Sequence, residues 1–205
     1  MTLRLTGRSS SHFTRIVQMF AHELDLPFEF EPVHHLMHLD PNVYGGHPGL
    51  KIPTLHVDGA PVYGTENICR KLVARSGRSG VLLFEHVSTD LARNAQELTW
   101  HSMSAQVQLV LGTVFAKPAD DDRFFVKLRA SLTGSLQWLD AHLDDALSEL
   151  PPRDFSLLEV ALFCLVEHLS FRPTLPPLEL PRLRRFVSDF GARPSAQRTP
   201  YRTDR

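Results

Sequence analysis

The chain has 205 residues, 42% of them hydrophobic and 22% charged, with a net charge of −1. That length suits one or two domains with a buried core, and the near-neutral balance offers no global field for nucleic acid or an anionic membrane. The longest apolar run, Val160 to Val166, is far short of the ~20 residues a membrane span needs.

Thr2 to Thr6 alternates apolar and polar residues as a strand does, and Met1 to Leu5 lacks the apolar block of a signal peptide. Gly7 to Ser11 reads as a polar loop. Phe13, Ile16, Val17, Phe20 and Leu24 then recur at helical spacing, and Phe28 to Val33 alternates again. The result is a β-α-β unit, which predicts two parallel strands. His34 to Gly49 is irregular, with room for a short helix. Lys51 to Val57 predicts a third strand, Asp58-Gly59 a turn, and Pro61 to Tyr63 a fourth strand. A helix follows, with Thr65 as its expected N-cap.

Arg75 to Ser88 carries two glycines, several serines and no clear periodicity, and reads as a linker. Beyond it the pattern is helical. One long helix begins around Leu91, Ala95, Leu98 and Trp100 and should stop near Pro118. Phe125, Leu128, Leu132, Leu136, Leu139 and Leu143 make a second stripe, and Asp120-Asp121-Asp122 forms an acidic N-terminal cluster before it. Pro151-Pro152 interrupts the chain. Ser156 to Leu169 is apolar on nearly every face, as expected for the middle of a bundle. Leu183, Phe186, Val187 and Phe190 mark a final helix started near Pro181. These elements predict a thioredoxin-like α/β domain over residues 1–76, a linker over 77–88 and an all-helical domain over 89–205.

Several segments point to a ligand. Pro53 biases Ile52 toward extended geometry, which leaves the Ile52 N–H and C=O free to pair with a bound peptide. A helix N-terminus at Thr65 supplies backbone N–H groups for an anion. A backbone edge beside an anion cradle suits a short peptide held by its main chain and carboxylate, and glutathione is such a peptide. Cys69 and Cys164, far apart and without a Cys-x-x-Cys, fit a reducing cytoplasm and small core positions.

At these residues the chain resembles the glutathione transferase family. Ile52-Pro53-x-Leu55 is similar to that family's Val-Pro-x-Leu strand with its cis-proline. Thr65-x-x-Ile68-x-x-x-Leu72 resembles its Ser-x-Ala-Ile helix start, Ser156-x-x-Glu159 its capping box, and Pro181-x-Leu183 through Arg193-Pro194-Ser195-Ala196-Gln197 its closing segment. The resemblance implies glutathione as cosubstrate, a small hydrophobic electrophile as second substrate, and a cytoplasmic homodimer. It places Lys51, Ile52, Pro53, Thr65 and Glu66 at the glutathione and the serine run Ser9-Ser10-Ser11 at the thiol, with Ser10 favoured. Arg8-Ser9-Ser10 is similar to the Arg-Ser-Ser of the zeta class, which implies a glutathione-dependent isomerase as a variant. The residue before the capping position, usually Glu, Gln or Asp in the family, is Gly64 here. That departure keeps a non-catalytic ligand- or protein-binding module as an alternative. Ser11 is alternatively a plain N-cap.

The histidines carry weaker signals. His34 and His38 would share one helix face but lack accompanying cysteines, so no metal is expected. His12 beside the serines reads as an exposed first-turn residue, with thiolate tuning as the alternative. Trp100, Met103, Val107 and Phe115 are candidates for an apolar lining.

Overall fold

The computed structural model describes residues 2–204. Its N-terminal part is a four-stranded sheet in the order β2-β1-β3-β4, built from β1 (Leu3–Gly7), β2 (Glu29–Pro32), β3 (Thr54–Val57) and β4 (Ala60–Tyr63). Helix α1 (His12–Glu23) connects β1 to β2, which pair in parallel as the β-α-β pattern requires. β3 lies antiparallel to β1 and to β4. Helix α2 (Thr65–Ser76) follows β4. The apolar positions of β1 and the helical stripe of α1 meet in one core with Leu55, Ile68 and Leu72.

The glycine- and serine-rich segment after α2 is more than a connector. Its residues Val81–Leu82 form β5, which pairs in parallel with β6 (Phe155–Ser156). The linker is thereby tied to the start of the central helix of the helical part. That part comprises α3 (Asp90–Leu111), α4 (Arg123–Ser148), α5 (Leu157–Phe171), α6 (Pro181–Phe190) and α7 (Pro194–Arg198). A π-helical turn over Gly112–Ala116 closes α3. Asp122, last of the acidic triplet, caps α4 by accepting from Phe124 and Phe125 N–H.

α5 is buried nearly all round, from Leu157 to Leu165, as an apolar helix must be. Ser156 caps it, accepting from the Glu159 N–H at 3.1 Å. Glu159 does not complete a capping box through the Ser156 backbone. Its carboxylate accepts instead from the Ser156 hydroxyl at 2.7 Å and from Nε and Nη2 of Arg153, at 2.8 and 2.9 Å. At the other end of the bundle Arg193 forms two 2.8 Å bonds with Glu23 of α1, and Ser195 donates to the same carboxylate. Burial works against the Glu23 carboxylate, but these donors hold it below the usual carboxylate range. The closing segment therefore locks α7 onto the first helix.

Both cysteines are fully buried and unpaired. Burial pushes the Cys164 thiol up to about 12 and raises Cys69 as well, so neither is a nucleophile. Two histidine readings need correction. Residues 34–40 form a loop, so His34 and His38 share no helix face, and the adjacent 3₁₀ turn spans Pro41–Tyr44. His12 is not exposed: it has no accessible surface, because α5 packs directly against α1.

Candidate functional site

Sheet register brings three segments together at one end of the fold. Thr6 of β1 pairs with Thr54 of β3, and Thr54 pairs with Tyr63 of β4. The chain just beyond each of these positions therefore emerges side by side: the serine loop after β1, Ile52-Pro53 before β3, and Gly64-Thr65 after β4. The Ile52–Pro53 bond is cis. Pro53 is buried, Ile52 half-buried and Lys51 exposed. Strand pairing starts only at Thr54, so the Ile52 backbone N–H and C=O have no partner among the described residues.

The start of α2 differs from expectation by one residue. Gly64, not Thr65, is the N-cap, with φ +83° and ψ 129°. Thr65 is the first helical residue and is buried. A glycine N-cap offers no side-chain acceptor, so the first N–H groups of α2 remain free to meet an anion. The φ explains the glycine: side chains with a Cβ resist this conformation. Glu66 is half-buried and lies 3.7 Å from Arg70, which also binds Glu85 at 3.1 Å.

The three serines have separate surroundings. Ser11 is the N-cap of α1 and accepts from the Thr14 N–H. Ser9 is buried and bound on three atoms by the C-terminal tail. Its N–H donates to Asp204 Oδ2 at 2.8 Å, its C=O accepts from Arg202 N–H at 3.4 Å, and its hydroxyl accepts from Arg202 Nε at 3.3 Å. The Ser10 hydroxyl is half-exposed and has no partner among the described residues. The His12 and Phe13 N–H groups that open α1 likewise have no acceptor among the described residues, as the first turn of a helix requires.

Below the serine loop lies a polar cluster drawn from the helical part. His168 of α5 places Nε2 3.1 Å from the Ser10 carbonyl and Nδ1 3.3 Å from Gln106 Nε2. Gln106 of α3 also donates to the Arg172 carbonyl at 2.8 Å and accepts from the Thr174 hydroxyl. The His12 and His168 rings meet edge to face, with centroids 4.5 Å apart. Burial drives His168 down to about 4. Burial and the neighbouring His168 also push His12 well below the ordinary imidazole value, and the Met103 carbonyl offsets only part of this. Neither His12 nitrogen completes a well-formed hydrogen bond. Both rings are neutral at physiological pH.

Of the apolar candidates, Met103 is fully buried core and lines nothing. Trp100 is half-buried and packs edge-on against Phe13 of α1 at 5.3 Å, which sets α3 beside the serine loop. Val107 is half-buried. Phe115 is exposed, as are Val114, Phe124 and Val126, all at the α3–α4 junction. Sequence reasoning missed the tail contacts to Ser9 and the Gln106–His168 cluster. Neither has a local signature, since their partners lie tens to hundreds of positions away.

Residues 10–75 match the model of the glutathione S-transferase N-terminal domain. In this segment the chain is similar to that domain. The whole chain has the transferase fold as well. It is similar to a glutathione S-transferase from Methylobacterium radiotolerans, solved with glutathione sulfonate, at 23% identity, with 100% of this chain and 99% of that one covered and a TM-score of 0.78. A glutathione S-transferase from Methylobacillus flagellatus with GSH bound is 22% identical over 97% of this chain and 99% of its own, with a TM-score of 0.77. A glutathione transferase family member from Pseudomonas fluorescens with bound glutathione gives 19%, 98%, 100% and 0.76 on the same measures. Comparison with curated proteins gives no match. Among the described residues no helix of this transferase fold is long and apolar enough to cross a membrane, and no His, Cys, Asp and Glu cluster could hold a metal ion.

Proposed function

We propose that the protein is a cytoplasmic glutathione transferase that activates the glutathione thiol with Ser10 and conjugates it to a small apolar electrophile. One observation carries this reading: among the described residues Ser10 has the one unengaged hydroxyl of the serine run, beside N–H groups of α1 that have no acceptor. Glutathione bound in similar folds supports the choice of cosubstrate.

The chemistry asked of the protein is modest. A free thiol has a pKa near ~8.5 and is only a few per cent thiolate at neutral pH. Lowering it by about two units needs ~2.7 kcal/mol of preferential thiolate stabilisation. Hydrogen bonds to a charged acceptor contribute roughly 1.5–3 kcal/mol each. The Ser10 hydroxyl and a helix N-terminus supply them, aided by the α1 dipole. The unpaired Ile52 N–H and C=O would hold the peptide main chain, flanked by Lys51 and fixed by Pro53. Thr65 and Glu66, at the free N-terminus of α2, would receive the γ-glutamyl carboxylate. Trp100 and the apolar α3–α4 junction would face the electrophile. The homodimer belongs to the same reading.

Gly64 favours a second reading. It places no carboxylate beside the γ-glutamyl ammonium group, and Glu66 already faces Arg70. A non-catalytic ligand- or protein-binding module built on the same fold is consistent with that. Ser10→Ala separates the two. Under the transferase reading it lowers turnover with an aryl halide about tenfold, one charged hydrogen bond's worth, and leaves glutathione affinity nearly unchanged by calorimetry. Unchanged turnover removes Ser10 from the thiol, and a wild type that neither binds glutathione nor turns over favours the module.

A further inference from the structure

We infer that His168 is a positioning residue for thiol activation, donating from Nε2–H to the Ser10 carbonyl in a tautomer imposed by Gln106. The inference rests on the transferase reading and extends it to residues of the helical part that touch neither glutathione nor electrophile.

The proton position follows from the surrounding acceptors. The Gln106 amide nitrogen donates to the Arg172 carbonyl at 2.8 Å, and its oxygen accepts from the Thr174 hydroxyl. Exchanging the two amide atoms would set oxygen against the Arg172 carbonyl, so the orientation is fixed. The atom facing His168 Nδ1 is therefore an N–H donor. Nδ1 must accept, and the single proton of the neutral ring sits on Nε2, 3.1 Å from the Ser10 oxygen. Gln106 is fully buried and His168 nearly so. A second proton on His168 would point at the Gln106 N–H. Burial, the loss of this acceptor and the nearby Arg15 and Arg172 cations all keep the ring neutral.

The effect on Ser10 is geometric. Fixing a residue's carbonyl fixes its ψ, and with it the peptide that leads into the Ser11 cap. The α1 end of that peptide is already held by the Ser11 N–H to Arg8 C=O bond at 3.0 Å. With both ends held, the Ser10 Cα–Cβ bond keeps one direction relative to the first turn of α1, which limits the free hydroxyl to the few positions its χ1 rotamers allow. His12 packs against the His168 ring and leaves it no room to turn. Preorganised donors of this kind stabilise a developing charge without reorganisation at the moment of reaction.

Three substitutions test it. A glutamine amide nitrogen reaches the place of the imidazole Nε2, an asparagine one only that of Nδ1, and phenylalanine fills the space with no donor. His168→Phe and His168→Asn should lower the thiolate fraction of bound glutathione at neutral pH about fivefold, read by thiolate ultraviolet absorbance, with Kd for glutathione held within about twofold. His168→Gln should retain the wild-type thiolate fraction. A merely structural role predicts a common loss of melting temperature or affinity in all three, and that result overturns the inference. So does an unchanged thiol pKa in His168→Phe. Imidazole nitrogen NMR shifts of the ligand-free protein give an independent reading: an Nδ1–H tautomer overturns the inference whether or not glutathione binds. If wild type takes up no glutathione, the transferase reading fails and this role fails with it. The Nε2–H signal, and Ser10 amide shifts that move in His168→Phe but not in His168→Gln, would then show the clamp alone.

Discussion

His168 and His12 make the fold sensitive to mild acid in a way that one substitution can isolate. An imidazole in the unfolded chain titrates near 6.5, whereas burial holds folded His168 to about 4. Between those values the unfolded state binds the proton that the folded state refuses, so stability falls as pH falls through this window. The full shift of about 2.5 units corresponds to ~3 kcal/mol, complete only below pH 4. By pH 5 about 2 kcal/mol of it is already lost relative to neutral pH. His12, pushed well down by burial and by His168, acts in the same direction. The Glu23 and Glu85 carboxylates are also depressed, but their losses begin near the unfolded carboxylate value and below, outside the span from pH 7.5 to pH 5. For a chain of this size ~2 kcal/mol shifts the melting temperature by roughly 4–8 °C. The assay is a urea or thermal melt at pH 7.5 and at pH 5 on wild type and His168→Gln, which keeps the Ser10 donor but cannot titrate. The surface-facing His22, His47 and His56 remain in both proteins and cancel. His168→Gln should lose about 2 kcal/mol less than wild type across the interval. Equal losses in the two proteins would refute the claim that His168 is buried as the neutral ring.

Gly64→Glu should destabilise the protein by about 1–3 kcal/mol, because φ +83° resists a side chain. No atom lies within 4 Å of the added Cβ, so steric crowding adds nothing. A partly exposed charge pair returns up to ~1 kcal/mol, so any gain in glutathione affinity stays below about tenfold. A urea midpoint equal to wild type would contradict the strain. Ser156→Ala should cost about 1 kcal/mol by urea denaturation, since the part-buried Glu159 N–H loses its acceptor. An unchanged midpoint would mean that the cap contributes nothing to α5.

The elements of this fold were legible because they rest on short-range preferences. Alternation placed β1 and β2, helical spacing placed α1, α3 and α4, an all-round apolar segment placed α5, Pro181 opened α6, and Ser156 and Asp122 announced their helices. The parallel pairing of β1 with β2 followed from chain direction and crossover length. The approximate place of the site was legible too, since the serine loop, Ile52-Pro53 and the start of α2 each carry a local motif. What distinguishes the three serines was not. Ser9 is engaged by Arg202 and Asp204, nearly the length of the chain away, and the Ser10 carbonyl by His168. His12 sits in the first turn of an amphipathic helix, and only the arrival of α5 buries it. Gly64 reads as a missing acid in the sequence, and its backbone angle shows a turn that glycine accommodates. Local sequence fixes the conformational preferences of neighbouring residues. Tertiary packing decides which polar atoms lose water and find partners, and in the serine run that decision leaves the Ser10 hydroxyl without a partner among the described residues.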